Sequence, residues 1–154
     1  MSEATHDLWP DVVDVTSVVP PVIVLKEQAS LLGERTKGLV RAEVESTEQA
    51  AEQIEKYLDD VLPVESRVVY SHTLYLVAPA LDNYRYSLLS VTHDFLPYPC
   101  DARFHPRQED DFPRHIPNPM ELVEWLAHRL RRTETVRLIQ ALIARVQQLG
   151  EPGR

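Results

Sequence analysis

The chain has 154 residues, 44% of them hydrophobic and 26% charged, and its formal net charge at pH 7 is −8. This length and composition are typical of one globular domain, and no apolar run approaches the roughly 18 residues that a membrane helix needs. The negative charge argues against a protein that chiefly binds nucleic acid, because phosphate binding normally requires a surplus of Lys and Arg on the binding face. We therefore expect a single domain over residues 1–154, with neither a membrane nor a nucleic acid as its partner.

The N-terminal sequence and the cysteine content favour a cytoplasmic protein. Residues 1–14 are acidic, whereas a secretory signal begins with positive charge and continues as an apolar block. Cys100 is the only cysteine, so the chain cannot form an internal disulfide, which fits a reducing compartment. The glycine-poor sequence has no phosphate-binding loop and no GxSxG nucleophile motif, and we expect no bound cofactor.

The first half of the chain begins with valines among acidic residues and a proline pair, which predict an extended arm over residues 1–19. Apolar residues at spacings of three and four then predict a helix from Pro21 to Thr36, which Gly38 ends. Val40 to Glu45 alternate between apolar and charged residues, which indicates a strand at the edge of a sheet. Ser46 and Thr47 are possible N-caps for a second helix that continues until Pro63.

The middle of the chain predicts an antiparallel hairpin. From Arg67 to Ala78 apolar residues occur on both faces, so we expect a central strand that is covered on both sides. Asp82 and Asn83 mark the turn, and Tyr84 to His93 forms the returning strand. His72 lies within the first of these strands and is interpreted as a satisfied core imidazole rather than a ligand or base.

The last third combines a proline-rich segment with two helices. Six of the twelve prolines lie between Pro97 and Pro119, which predicts a loop with one short strand around residues 102–105. Asn118 and Thr133 are predicted to cap two helices, and the second ends at Gly150. The predicted fold is α+β: an antiparallel sheet of three to five strands packed by the N-terminal helix and a C-terminal helical hairpin. This core covers residues 20–150, and residues 151–154 form a short tail.

The segment from residue 93 to 115 contains the residue types that zinc sites and nucleophilic catalysis use. Cys100 is a candidate nucleophile with His93 or His105 as its general base, and Asp94, directly after His93, is a further catalytic candidate. The candidate metal ligands are His93, Cys100, His105 and His115. The alternative is a solvated loop with an inert cysteine, because no CxxC or HExxH spacing is present.

A second group of candidates belongs to a recognition surface. Asp82, Asn83, Tyr84 and Arg85 combine short polar side chains, an aromatic ring and a guanidinium, a mixture that is common in binding surfaces. Trp125 on the first C-terminal helix is a further binding candidate. The alternative is that Asp82 and Asn83 serve only to form the turn.

Tyr98-Pro99 and His105-Pro106 follow the predicted helix and antiparallel strands in an order that resembles the ubiquitin-conjugating fold and its non-catalytic relatives. The resemblance covers residues 84–106. Arg107 stands where that family has an asparagine soon after its His-Pro pair, and no cysteine follows where the family has its nucleophile. The resemblance therefore implies at most a shared fold, and no conjugating activity is expected.

Because no catalytic motif is present, the sequence favours a binding or accessory protein without catalysis that acts through contacts with another protein or with a second copy of itself. The first alternative is a small hydrolase or transferase that uses the 93–115 segment, with or without a metal ion. The second is a homo-oligomeric structural protein whose last helix forms the contact face.

Overall fold

The computed structural model describes residues 6–11, 18–50, 68–105 and 112–149. The strands form one five-stranded antiparallel sheet in the order β1-β2-β3-β4-β5. The predicted α+β class, with one N-terminal and two C-terminal helices, is confirmed. In chain order the elements are α1 (Pro21–Arg35), β1 (Arg41–Ala50), β2 (Val68–Ala78), β3 (Tyr84–His93), β4 (Cys100–Phe104), β5 (Arg114–Ile116), α2 (Pro119–Leu130) and α3 (Thr133–Leu149).

The ends of α1 follow from local chemistry. Pro21 occupies the first helical position, where a missing N–H costs no hydrogen bond. At the other end Gly38 has φ of +79°, and its N–H donates to the Gly33 carbonyl over 2.8 Å. A glycine adopts this left-handed conformation without strain, so the predicted helix and its stop are confirmed.

The predicted helix from Ser46 is wrong at its start, because β1 continues as a strand through residue 50. Ser46 lies opposite His72, and Thr47 lies opposite Ser71, in the antiparallel register of β1 and β2. Pairing with a long neighbouring strand outweighs the local capping signal of a serine and a threonine. The rest of the predicted helix lies outside the described residues.

The predicted hairpin of β2 and β3 is confirmed, with a turn that uses a short 3-10 segment at Pro79–Leu81. Asp82 and Asn83 have φ of +58° and +55°, which short polar side chains tolerate better than most residues. The β2–β3 register shifts between Leu74 and Tyr75. This irregularity lets two consecutive residues of β3, Leu88 and Leu89, both reach the core.

The core lies between one face of the sheet and the three helices. Its buried side chains come from the three helices and from β2 to β5, for example Leu25 of α1, Leu74 of β2 and Leu122 of α2, whereas β1 contributes only the partly buried Ala42 and Val44. The opposite face of β2 is less covered than predicted, since Val77 is buried but Tyr75 is only half-buried. Complete coverage of both faces is therefore limited to the C-terminal end of β2.

The C-terminal part differs from the prediction in two details. The proline-rich segment forms two strands rather than one, because the three-residue β5 pairs Ile116 with Cys100 of β4. Thr133 is the first residue of α3 and not its cap. The Thr135 hydroxyl joins the two helices, because it donates to the Arg129 carbonyl of α2 over 3.0 Å. The α2 cap is confirmed, because the Asn118 side-chain oxygen accepts the Glu121 N–H over 2.9 Å. Among the described residues, no helix is long and apolar enough to span a membrane.

Candidate functional site

Three polar side chains from three neighbouring strands meet on the helix-facing side of the sheet. The register places Ser46 of β1 opposite His72 of β2, and His93 of β3 one step further along the same face. The Ser46 Oγ lies 2.7 Å from Nδ1 of His72, and Nε2 of His72 lies 2.9 Å from Nε2 of His93. We call these three residues the serine–histidine chain.

The direction of every hydrogen bond in the serine–histidine chain is fixed by its last acceptor. Nδ1 of His93 lies 2.7 Å from the backbone carbonyl of Asp94, and a carbonyl can only accept. Neutral His93 therefore carries its proton on Nδ1 and accepts at Nε2 from the Nε2–H of His72. Nδ1 of His72 is then an acceptor, and the Ser46 hydroxyl donates to it.

The surroundings of the serine–histidine chain keep His72 uncharged at neutral pH. His72 is only 6% exposed, and burial, followed by the neighbouring His93 and Lys26, lowers the pKa of His72 from 6.5 to about 4. The ring of Tyr70 stacks on His93 with 5.3 Å between centroids. Ser46 is exposed, so the hydroxyl at the end of the chain is open to solvent.

The loop between β3 and β4 begins where the serine–histidine chain ends, and it is held by hydrogen bonds. The Asp94 carboxylate accepts the Leu96 N–H over 3.2 Å, while the Asp94 carbonyl accepts from His93. The Tyr98 hydroxyl donates over 2.8 Å to the carbonyl of Val19, just before α1, and burial followed by the nearby Cys100 raises the pKa of Tyr98 to about 12. Phe95 and Leu96 nevertheless remain 61% and 60% exposed.

The other predicted chemical candidates are not brought together. Cys100 is buried, and burial and Asp101 raise the pKa of its thiol to about 11, which makes it a poor nucleophile at neutral pH. His105 contacts Ser90 over 3.1 Å, and burial, Arg103 and Arg129 lower its pKa. Nδ1 of the exposed His115 lies 3.1 Å from a carboxylate oxygen of Asp101. Within the part of the chain that the structure describes, no three His, Cys, Asp or Glu side chains converge as a metal site would require.

The predicted recognition residues occupy two separate places. Asp82 and Asn83 form the β2–β3 turn, and Tyr84 beside them is exposed. The guanidinium of Arg85 lies 3.8 Å from the Tyr75 ring centroid and 3.2 Å from a Glu45 carboxylate oxygen.

Trp125 is a half-buried part of a cluster around Phe104. Their rings stack with 4.8 Å between centroids, and the guanidinium of Arg129 lies 4.4 Å from the Phe104 centroid. Trp125 therefore contributes to packing between α2 and β4. Its role in binding stays a prediction.

Of the serine–histidine chain, sequence reasoning found only His93 as a chemical candidate. The sequence predicts a helix cap at Ser46 and a core residue at His72, because it does not reveal the register that joins them. The exposed Phe95 and Leu96 were also missed, although their position directly after a strand and before a proline was visible. No family model, curated protein or solved structure was found to match the chain.

Proposed function

We propose that the protein is a cytoplasmic binding or accessory protein that contacts another protein through Phe95 and Leu96 of the β3–β4 loop. The observation that supports this is an apolar pair that remains largely exposed on a loop fixed by hydrogen bonds at both ends. Adjacent large apolar side chains that are exposed on a fixed loop are typical anchors of protein interfaces.

The fixed loop lowers the cost of binding. A flexible loop loses conformational entropy when a partner immobilises it, whereas this loop is already held by Asp94 within itself and by Tyr98 at the start of α1. The Tyr98 bond also brings the loop close to Val18 and Val19, which are 50% and 38% exposed. These four apolar residues, Val18, Val19, Phe95 and Leu96, form what we call the loop patch.

Charge favours a different protein over a second copy as the occupant of the loop patch. Two copies that each carry a net charge of −8 repel one another. Asp94 lies directly beside the apolar pair, so a complementary surface would place Lys or Arg around an apolar pocket. We therefore propose a partner with a basic rim, and a self-associated chain is the competing outcome.

Recovery of the protein from its host tests this proposal. The wild-type chain should be recovered with a stoichiometric partner, and the double variant Phe95→Ser/Leu96→Ser should lose that partner while it keeps the wild-type melting temperature. Phe112→Ser is the matched control, because Phe112 is 86% exposed but lies just before β5, outside the loop patch. A chain recovered alone and monomeric, or a partner retained by the double variant, would contradict the proposal. If the wild type is recovered as a dimer and Phe95→Ser dissociates that dimer, the loop patch binds a second copy of the chain rather than a different protein.

A further inference from the structure

We propose that Ser46, His72 and His93 form a nucleophilic site at which the Ser46 hydroxyl accepts an acyl group from an activated ester. This activity goes beyond the proposed protein contact and does not depend on it. The site differs from the predicted one in the 93–115 segment, because its nucleophile is a serine of β1 and only His93 is shared.

The geometry is that of an activated nucleophile. A hydroxyl becomes reactive when a neutral base accepts its hydrogen bond and a third group orients that base. The Ser46 hydroxyl donates to Nδ1 of His72 over 2.7 Å, and the Nε2–H of His72 donates to His93 over 2.9 Å. The carbonyl of Asp94 fixes the tautomer of His93 and thereby of His72. His72 is buried while Ser46 is exposed, so the base is shielded and the nucleophile is accessible.

The proposed step balances without a further reagent. The Ser46 oxygen forms a bond to the carbonyl carbon of the ester, and its proton passes to Nδ1 of His72. The Nε2 proton of His72 passes along the existing hydrogen bond to Nε2 of His93. The carbonyl electron pair moves to oxygen and returns as the bond to the leaving group breaks. The leaving oxygen then takes up the proton from Nδ1 of His72, while the other proton returns from His93 to Nε2 of His72. Both rings are neutral again, and the product is an acyl ester of Ser46.

The transfer to His93 solves the problem that His72 is a weak base in its buried position. Burial and neighbouring positive charge keep the pKa of His72 at about 4, so a proton that remained on His72 would be costly. His93 is half-buried rather than buried, and its second N–H already donates to the Asp94 carbonyl. The positive charge therefore forms on the ring that water can reach, while His72 stays neutral after the shift of both protons.

A cleft between α1 and β1 indicates which acyl groups fit. The cleft has a volume of about 520 Å³, and its lining combines the apolar Ala29, Ala42 and Val44 with the charged Glu34 and Arg41. Val44 is two residues before Ser46 and lies on the same face of β1. Lys26 also lines the cleft and is close enough to His72 to lower its pKa. A short apolar acyl group, such as that of a small carboxylic ester, would enter the cleft with its carbonyl oxygen towards the Lys26 ammonium.

Acetylation by p-nitrophenyl acetate tests the proposal. The purified chain is incubated with the ester, and the acetylated residue is located by peptide mass spectrometry. We expect the acetyl group on Ser46, and none there in Ser46→Ala, which should fold normally because Ser46 is exposed. Ser90→Ala is the matched control: Ser90 also contacts a histidine, His105, over 3.1 Å, but it is not part of the serine–histidine chain. The rate of Ser46 acetylation in Ser90→Ala should equal that in the wild type.

The roles of the two histidines are separated by their variants. His72→Gln removes the base and should reduce acetylation of Ser46 at least a hundredfold. His93→Gln can still accept from His72 but cannot receive the proton, so it should lower the rate and change the pH at which that rate is half maximal. Acetylation of Ser46 no faster than that of Ser90, or an unchanged rate in a folded His72→Gln, would overturn the proposal. Neither outcome bears on the loop patch, which the acetylation assay does not involve.

Discussion

Replacing His72 with glutamine tests the electrostatic account of the serine–histidine chain through the pH dependence of stability. In the unfolded protein this imidazole takes up a proton as the pH falls below 6.5, whereas in the folded protein the pKa of His72 is about 4. Between these values the unfolded state binds more protons. The stability contributed by neutral His72 is therefore complete above pH 6.5 and is lost as the pH falls towards 4.

The magnitude follows from the shift. Each pKa unit corresponds to about 1.4 kcal/mol, and pH 4.5 lies two units below the pKa of His72 in the unfolded protein, so His72 should account for a loss of roughly 2–3 kcal/mol relative to pH 8. The residue is only 6% exposed, so screening by solvent reduces this value little. A glutamine does not titrate and should lack this part of the loss.

Urea denaturation at pH 8, 6 and 4.5 measures the effect for the wild type, His72→Gln and the control His128→Gln. His128 is exposed on α2, so its variant should follow the wild type. We expect the free energy of unfolding to fall by roughly 2–3 kcal/mol less in His72→Gln than in the wild type between pH 8 and 4.5. Equal losses in all three proteins would refute the claim that burial holds His72 neutral.

Three further predictions concern the scaffold and the thiol. Leu25→Ala should lower the free energy of unfolding by about 2–5 kcal/mol, because Leu25 is completely buried on the inner face of α1; a loss below about 1 kcal/mol in urea denaturation would contradict this. Asn118→Ala should cost about 1 kcal/mol through the lost cap of α2, and Asn118→Asp, which keeps an acceptor oxygen, should restore most of it. Cys100, whose pKa burial and Asp101 raise to about 11, should react with an aromatic disulfide reagent at pH 8 only after unfolding in urea, and complete reaction in native buffer would show an accessible thiolate.

The sequence predicts the parts of the fold that local chemistry determines. The β2–β3 hairpin is recognisable because its turn requires short polar residues and its strands alternate around them. The starts of α1 and α2 are recognisable because Pro21 and Pro119 occupy positions where a missing N–H is harmless. These signals lie within a few residues of the structure that they specify.

The parts that sequence reasoning missed depend on pairing between distant segments. Ser46 carries a capping signal, yet β1 extends past it because β2 provides a partner along its whole length. The short β5 exists only because β4 lies beside it. A three-residue strand between prolines has too little alternation to be recognised by pattern alone.

The serine–histidine chain illustrates the same limit for function. Ser46 and His72 are 26 residues apart, and His72 and His93 are 21 apart. They meet only in one register, and a shift of β1 by one residue would turn Ser46 to the opposite face of the sheet. His93 was a candidate from its residue type alone, whereas its partners required the strand order.

The central claim, that the loop patch is a protein-binding surface, is tested most directly by one affinity ratio. The partner recovered with the wild-type chain is purified and titrated against the wild type and against Phe95→Ser/Leu96→Ser in a calorimeter. We expect one-to-one binding that the double variant weakens at least tenfold, which corresponds to about 1.4 kcal/mol, because both side chains would be buried in the interface. Equal dissociation constants for the two proteins would contradict it.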